Sequence, residues 1–232
     1  MGAVGEAHRA VQRSTTAADR LPRVLDVLFG TILVLLTLPV LVLAISASLV
    51  SLRAGPLFTQ YRVGRGGELF RFVKVRTLPP DVPAYTDKHQ LDQRTVPPAC
   101  RLMRRLHVDE LPQLFLVLAG RMSLVGPRPE MACLHDRMPG DFREIRTSVR
   151  PGCTGLWQVS DRCDDLIEAA PDFDAFYVAN RTVRLDLWIL TRTARKMLGG
   201  TQRVSLEDVP TWVLAQEGAP SEAFSAAATS GS

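Results

Sequence analysis

The sequence has few cysteines, and none of them belongs to a closely spaced pair. The four cysteines of this 232-residue chain lie far apart, without a C-x-x-C motif or a nearby histidine cluster; they are Cys100, Cys133, Cys153 and Cys163. Structural zinc sites and disulfide-stapled domains both depend on regularly spaced cysteines. The sequence therefore predicts neither a zinc site nor a disulfide framework, and it predicts reduced thiols that face the cytosol.

Lysine is scarce as well, because only three of the 28 basic residues are lysine, and the formal net charge is +4. Arginine binds phosphate and carboxylate groups through two parallel hydrogen bonds, so this usage fits anionic partners, although the base composition of a genome produces the same bias. The sequence contains no recognised nucleic-acid-binding module, so nucleic acid is not an expected partner. A basic surface beside a membrane would instead meet anionic headgroups.

One long segment contains no charge at all. Residues 27–52 are mostly Leu, Val, Ile and Ala, and the run is too long and too far from the N-terminus for a secretory signal peptide. As a straight helix these 26 residues would extend about 39 Å, which exceeds a hydrocarbon core of about 30 Å. The segment is therefore predicted to enter a membrane.

Pro39 and the flanking charges bear on how the segment enters the membrane. Proline removes a helix hydrogen bond and favours a kink or a break. Basic residues flank both ends of the segment, and the positive-inside rule then favours leaving both ends on the cytoplasmic side. Residues 23–53 are therefore expected to form either a re-entrant helix that breaks near Pro39 and returns to the same face, or a kinked helix that crosses.

The whole pattern predicts an α/β fold that is mainly helical with a small β-hairpin. Residues 1–22 are polar and dotted with arginine, and they are predicted to be a disordered basic N-terminus. Residues 54–205 are predicted to form one compact domain, and residues 206–232 an extension with a largely disordered tail. Alternating apolar and polar residues over 57–63 and 68–76, around a glycine-rich turn, predict the hairpin.

Proline and glycine divide the remaining sequence into loops and helices. A proline-rich loop is predicted over 78–99, rigid turns over 126–130 and 151–155, and an extended piece over 156–159. The predicted helices occupy residues 99–107, 112–118, 130–138, 141–147, 164–180 and 184–198.

Two adjacent carboxylates, Asp109 and Glu110, stand just before Pro112, which suits the first position of a helix. A helix N-terminus favours negative charge and also suits a bound phosphate. Lys74 and Arg76 share one face of the predicted second strand, where they either point to an anion or are solvated. By themselves the two acids are either an ordinary helix cap or part of a site.

Several segments, in order along residues 23–200, resemble the bacterial sugar transferases, a family of monotopic polyprenyl-phosphate phosphoglycosyl transferases. The matching pieces are an Arg-x-x-Asp sequence from Arg23 to Asp26, 55–64 (GPLFTQYRVG), 74–77 (KVRT), Arg104 ahead of 109–113 (DELPQ), 121–130 (RMSLVGPRPE), 150–159 (RPGCTGLWQV) and an Asp174…Tyr177…Asp186 pattern. Within that pattern, Tyr177 and Asp186 are expected to be structural and to bond one helix to another.

The resemblance implies a re-entrant membrane helix that carries a compact catalytic domain on the cytoplasmic face of the bacterial inner or plasma membrane. Such enzymes transfer a sugar 1-phosphate from a nucleotide sugar, usually a UDP-sugar, to undecaprenyl phosphate with Mg²⁺. They thereby initiate the synthesis of exopolysaccharide or another cell-surface glycan. The implied partners are the nucleotide-sugar donor, the undecaprenyl phosphate acceptor and membrane lipid, while the sugar and the oligomeric state stay open.

By position, the resemblance makes Asp109 the nucleophile and Glu110 its catalytic partner and metal ligand. Arg104 would hold the polyprenyl phosphate, and the other candidates for nucleotide and phosphate contacts are Lys74, Arg76, Arg128 and Arg150. Attack by a carboxylate on the β-phosphoryl centre would release UMP and give an acyl phosphate, which the polyprenyl phosphate would then attack. Phosphoryl transfer depends on charge neutralisation, which Mg²⁺, arginines and a helix N-terminus provide.

The chain departs from the family pattern in two turns. Residues 106–108 read Leu-His-Val where many relatives carry a hydroxyl residue, so His107 is either a spectator or a tuning group. After Val159, Ser-Asp-Arg replaces a sequence with glycine before the arginine, which puts any role of Arg162 in doubt. A membrane-tethered, catalytically inactive scaffold of a glycan-assembly complex is the alternative function, and the intact pair of carboxylates counts against it.

Overall fold

The computed structural model describes residues 20–82, 96–200 and 203–214. Its helices are α1 Arg20–Leu52, α2 Pro98–Arg105, α3 Gln113–Leu118, α4 Ala132–His135, α5 Gly140–Thr147, α6 Leu156–Val159, α7 Pro171–Ala179 and α8 Val183–Met197. Its strands are β1 Leu57–Val63, β2 Leu69–Val75, β3 Ser123–Val125 and β4 Gly152–Thr154, in two two-stranded sheets. The mainly helical class is confirmed, and the predictions for residues 1–19, 83–95 and 215–232 lie outside the described residues.

Helix α1 continues through Pro39, so the break that the sequence predicted there is absent from the helix. The missing N–H of a proline removes one helix bond, whereas the bonds of the neighbouring turns remain. The hydroxyl of Thr37 also donates to the carbonyl oxygen of Leu33 at 2.6 Å, within the preceding turn. One proline is therefore accommodated inside a 33-residue helix, and the re-entrant path stays a prediction.

Only a narrow stripe of α1 packs against the rest of the molecule. Its buried residues are Asp26, Gly30, Leu41, Ala44 and Ser48, whose spacing keeps them on one side of the helix. Most of the other side chains of α1 are apolar and exposed. Among the described residues, Leu21–Leu52 is the one helix that is long and apolar enough to cross a membrane.

Strands β1 and β2 form the predicted antiparallel hairpin, with Leu57 opposite Val75. Phe70 and Phe72 lie on one face of β2 and are buried in the main hydrophobic core. Because side chains alternate along a strand, Lys74 continues the same face. Lys74 therefore lies at the end of β2, next to the hydrophobic core that contains Phe70 and Phe72.

Two other predicted elements differ from the structure. Residues 156–159, predicted to be extended, form α6, and their buried residues at positions 156, 157 and 159 fit a helical turn better than an alternating strand. The extended segment is instead β4, which pairs in parallel with β3. The helix predicted from residue 164 begins only at Pro171, because a proline suits the first turn of a helix.

The described residues form two hydrophobic cores. The larger core includes the fully buried side chains of Leu156, Leu185 and Ile189, together with Val209 and Val213 from beyond the predicted domain boundary at residue 205. The smaller core joins α1 to β2 and α2, and it consists of Leu41, Ala44, Val75, Val96, Cys100 and Met103. The packed domain therefore extends to residue 214 and includes one face of the apolar helix.

Candidate active site

The two carboxylates lie in a 3₁₀ turn, Val108–Glu110, between α2 and α3. His107, just before the turn, has a left-handed φ of 55°, a conformation that histidine adopts more readily than most residues. Leu111, just after the turn, packs against both hydrophobic cores. The packing of Leu111 thus anchors the turn to the hydrophobic cores, and Asp109 is only 6% exposed.

Glu110 is the electrostatic centre of the site. Its Oε1 accepts a hydrogen bond from Nζ of Lys74 at 2.5 Å and another from Nη2 of Arg128 at 3.2 Å. Burial alone would raise the pKa of Glu110, but Lys74 and Arg128 outweigh burial and hold the pKa well below its ordinary value. Glu110 is therefore ionised and binds two cations rather than capping a helix.

Asp109 is shifted in the opposite direction. Burial raises the pKa of its carboxyl, and neighbouring Glu110 adds to the rise, although Lys74 and Arg104 oppose it. Two adjacent acids with pKa values displaced in opposite directions are typical of sites where the acids have different chemical roles. The surroundings of the two acids therefore raise the pKa of Asp109 and lower that of Glu110.

The lysine is supported by an aromatic ring that the sequence analysis did not select. Nζ of Lys74 lies 5.5 Å from the ring centroid of Phe72, and Cζ of Arg62 lies 5.4 Å from the same centroid. Cations at this distance from a ring are attracted to its face. Burial lowers the pKa of Lys74, although Glu110 opposes that effect. The alternation along β2 was the sequence signal that placed Phe72 and Lys74 together.

Arg128 owes its place to the crossing of the two glycine-proline loops that the sequence predicted to be rigid. The amide of Gly126 donates to the carbonyl oxygen of Thr154 at 2.9 Å, and the amide of Gly152 donates to that of Pro127 at 2.9 Å. A Cβ on Gly126 would lie 2.5 Å from the carbonyl oxygen of Arg150. Only glycine allows this approach, which brings the turn that carries Arg128 next to Glu110.

The other predicted binding residues are placed less uniformly. Arg104 on α2 lies with Nη1 3.5 Å from Oγ1 of Thr77, and its charge acts on the Asp109 carboxyl. The guanidinium of Arg76 instead donates to the carbonyl oxygens of Gly55 and Leu57, at 2.8 and 3.3 Å. The structure therefore joins Lys74, Arg128 and Arg104 to the acids and directs Arg76 to the base of the hairpin.

Arg150 is half-buried, and its carbonyl oxygen lies against Gly126, beside the turn that carries Arg128. Arg162 pairs with Asp165 and donates to the carbonyl oxygen of Ala169 at 3.1 Å, so its contacts stay within its own loop. The assignment of Arg150 to a phosphate or nucleotide stays a prediction.

The residues of the Asp174…Tyr177…Asp186 pattern make contacts between helices and with strand β3. The hydroxyl of Tyr177 donates to Oδ1 of Asp186 at 2.7 Å and lies 3.2 Å from the carbonyl oxygen of Val125. Tyr177 and Asp186 therefore bond α7 to α8, as the sequence predicted. Asp174, 1% exposed, pairs with Arg146, a contact that the sequence analysis missed because the two residues are 28 positions apart.

Asp109 and Glu110 fit a magnesium ion only together with the phosphates of a substrate. The described part of the chain contains no group of three or more His, Cys, Asp or Glu side chains that could hold a metal ion. Mg²⁺ is commonly bound through one or two carboxylates, with substrate phosphates and water completing its coordination. Two adjacent carboxylates satisfy that requirement.

Residues 17–200 match the sequence profile of the family described as "Bacterial sugar transferase". The chain is 35% identical over 195 residues to a UDP-galactose-lipid carrier transferase of Erwinia amylovora, covering 75% of this chain and 39% of that protein. It is 37% identical over 188 residues to a UDP-N-acetylgalactosamine-undecaprenyl-phosphate N-acetylgalactosaminephosphotransferase of Aeromonas hydrophila, covering 77% and 44%. It is 36% identical over 191 residues to a UDP-glucose:undecaprenyl-phosphate glucose-1-phosphate transferase of Caulobacter vibrioides, covering 78% and 71%.

These alignments cover less than half of the Erwinia and Aeromonas proteins but more than two thirds of the Caulobacter protein. The profile match spans most of this chain and contains both carboxylates and every basic residue that the resemblance selected. The extent of this match shows that the chain belongs to the bacterial sugar transferase family.

Proposed function

We propose that the chain transfers a sugar 1-phosphate from a UDP-sugar to undecaprenyl phosphate and so initiates the synthesis of a cell-surface glycan. The observation that carries the proposal is a buried Asp109 beside a Glu110 that Lys74 and Arg128 keep ionised. The names of the Aeromonas and Caulobacter relatives, which contain both a UDP-sugar and undecaprenyl phosphate, support it.

In the first step, a carboxylate oxygen of Asp109 attacks the β-phosphorus of the donor. The bond from that phosphorus to the bridging oxygen breaks, so UMP leaves with the bonding electrons and an aspartyl phosphosugar forms. In the second step, an oxygen of undecaprenyl phosphate attacks the same phosphorus and releases the Asp109 carboxylate. The raised pKa of Asp109 suits this role, because a more basic carboxylate is a better nucleophile.

The cations neutralise the phosphate charge. Hydrogen bonds to Glu110 orient Lys74 and Arg128, so these two charges require little rearrangement to face a phosphate. Mg²⁺ held by Glu110 beside Asp109 would further neutralise the diphosphate. Arg104 is assigned to the acceptor phosphate because α2 packs against the apolar helix α1 through the smaller core.

The contacts of α1 favour a path that keeps both of its ends on one membrane face, and the basic residues that flank the segment favour the cytoplasmic face. Near its start, Asp26 accepts hydrogen bonds from Ser123 and from the amide of Leu124, at 2.6 and 2.9 Å. Near its end, Ser48 donates to the carbonyl oxygen of Arg76 at 2.6 Å. A helix that crossed would place its two ends on opposite sides of the bilayer, whereas both ends here bind the same domain.

Topology is tested by single cysteines at Thr15 and Tyr61 in a chain whose native cysteines are replaced. Both positions should react with a membrane-impermeant maleimide only after the cytoplasmic side is opened. Tyr61 is suited to this because it is 60% exposed. Labelling from opposite sides would show a crossing helix.

Activity is tested by UMP release from membranes that contain the chain, Mg²⁺, undecaprenyl phosphate and one UDP-sugar at a time. We expect UMP with at least one donor and its loss in Asp109→Asn. Asp136→Asn is the matched control, because Asp136 is exposed and pairs only loosely with Arg143, at 3.8 Å. No UMP with any UDP-sugar, or equal release by Asp109→Asn, would contradict the proposal and favour an inactive scaffold.

A further inference from the structure

The turn that carries Arg128 is held through four consecutive carbonyl oxygens. Pro127 and Pro129 have no N–H, so much of the bonding capacity of the turn resides in its acceptors. The carbonyl oxygens of residues 127 to 130 accept, in order, from the amide of Gly152 at 2.9 Å, Nη2 of Arg146 at 2.6 Å, Nη1 of Arg62 at 3.2 Å and the amide of Val63 at 2.9 Å. Two of the four donors are side chains, and both are arginines.

Arg146 is itself fixed by a buried ion pair. Its Nε donates to Oδ2 of Asp174 at 2.8 Å, and the two side chains are 4% and 2% exposed. Arg146 lies on α5 and Asp174 on α7, so the pair ties two helices together while the far nitrogen of Arg146 bonds the carbonyl of Arg128. A buried charge with a single orientation is a rigid donor.

Arg62 connects the same turn to the other cation of the site. It donates to the carbonyl of Pro129, lies 3.6 Å from Oε2 of Glu130, and stacks on the Phe72 ring that also contacts Lys74. A change at Arg62 therefore reaches Arg128 through the turn and Lys74 through the ring.

We propose that Arg62 and Arg146 are positioning residues that fix Arg128 against Glu110. They act through the backbone of the turn rather than on the reacting groups. The inference rests on the proposed function, because Arg128 is assigned there to the diphosphate of the donor. Without these two donors the carbonyl oxygens of Arg128 and Pro129 lose their side-chain partners, and Arg128 loses its fixed orientation.

A double-mutant cycle tests the proposal, with equilibrium binding of UDP in the presence of Mg²⁺ as the measurement. Arg62→Gln and Arg128→Gln should each weaken binding about tenfold, the effect of one or two charge-assisted hydrogen bonds. The double variant should bind within about twofold of Arg128→Gln, because coupled residues are not additive. Arg143→Gln is the matched control on α5, since Arg143 is half-exposed and pairs with Asp136 at the surface.

A second measurement needs no nucleotide and guards against misfolding. The ¹⁵Nε–H resonance of Arg128 in arginine-labelled protein should shift in Arg62→Gln and in Arg146→Lys, which keeps a cation beside Asp174, but not in Arg143→Gln. Thermal unfolding checks that each variant is folded. Additive binding effects together with an unchanged Arg128 resonance would overturn the positioning role. Absence of UMP release by the unaltered chain would instead overturn the proposed function, and the resonance would still decide the positioning role.

Discussion

Replacing Lys74 by methionine removes one of the two cations that share Oε1 of Glu110, while the apolar stem against Phe72 is kept. The lysine bond is 2.5 Å long, and both side chains are about four-fifths buried, with exposures of 19% and 20%. A charge-assisted hydrogen bond of this kind contributes about 1.5–3 kcal/mol. Lys74 also lowers the pKa of the neighbouring Asp109 carboxyl, so its removal should raise that pKa.

The sign of the effect follows from the role of Asp109. In its proposed role as nucleophile Asp109 must be ionised, so the rate of aspartyl phosphosugar formation should fall as the pH drops through the pKa of Asp109. In Lys74→Met the acid limb of the single-turnover rate should therefore move to higher pH. The plateau rate should fall by roughly tenfold or more, because one cation no longer neutralises the diphosphate.

The assay is quenched-flow measurement of UMP release between pH 5 and 8, with Lys196→Met as the matched control. Lys196 lies outside the site and donates to the carbonyl oxygen of Gln158. Its replacement should leave the acid limb in place. A Lys74→Met profile that is lower at every pH but not displaced would refute the electrostatic coupling between Lys74 and Asp109.

Three further predictions concern the support of the site. Gly126→Ala should lower the free energy of unfolding, measured by urea titration, by about 3 kcal/mol, because its Cβ would lie 2.5 Å from the carbonyl oxygen of Arg150. Gly140→Ala is the control and should be tolerated in the same titration, because the nearest neighbour atom to its Cβ would lie at 4.0 Å. Burial raises the pKa of Asp186 to about 6, although the bond from Tyr177 opposes the rise. Because this pKa lies above the unfolded value, the contribution of Asp186 to stability is lost as the pH rises through 6. Asp186→Asn should therefore gain about 1–1.5 kcal/mol relative to the unaltered chain between pH 5 and 7.5, and a pH-independent difference would contradict this. Arg76→Gln should change the affinity for the UDP-sugar donor less than about twofold. It should lower the free energy of unfolding by about 1 kcal/mol, because the guanidinium of Arg76 donates hydrogen bonds to carbonyl oxygens at the base of the hairpin. A tenfold loss of affinity for the UDP-sugar would instead support the binding role that the sequence predicted for Arg76.

The sequence predicted the elements whose residues carry a strong local pattern. The alternation of residues 57–63 and 68–76 predicted the hairpin, and Pro112 ahead of an apolar run predicted α3. The pairing of β3 with β4 was not predicted, because each strand has three residues and their contact depends on glycines far apart in sequence. Local periodicity carries no information about such a contact.

For the candidate site, too, the sequence predicted the residue types but not all of their contacts. The carboxylates and the types of cation around them followed from short motifs, but only the fold shows that Lys74 and Arg128 meet on one oxygen of Glu110. Arg76 was expected beside Lys74 because residues i and i+2 of a strand lie on the same face of the sheet. Strand β2 ends at Val75, so the alternation does not extend to Arg76, and its guanidinium returns to the base of the hairpin.

The apolar helix and the site are joined through the elements that carry the two cations at Glu110. Asp26 of α1 bonds β3, which leads directly into the turn of Arg128, and Ser48 of α1 bonds the carbonyl of Arg76, just after the strand of Lys74. Hydropathy could not reveal this, because it scores α1 as a membrane segment whichever of its faces packs. Under the proposed function, a helix held at these two points would fix the distance of both cations from the lipid surface, where a polyprenyl phosphate presents its reactive end.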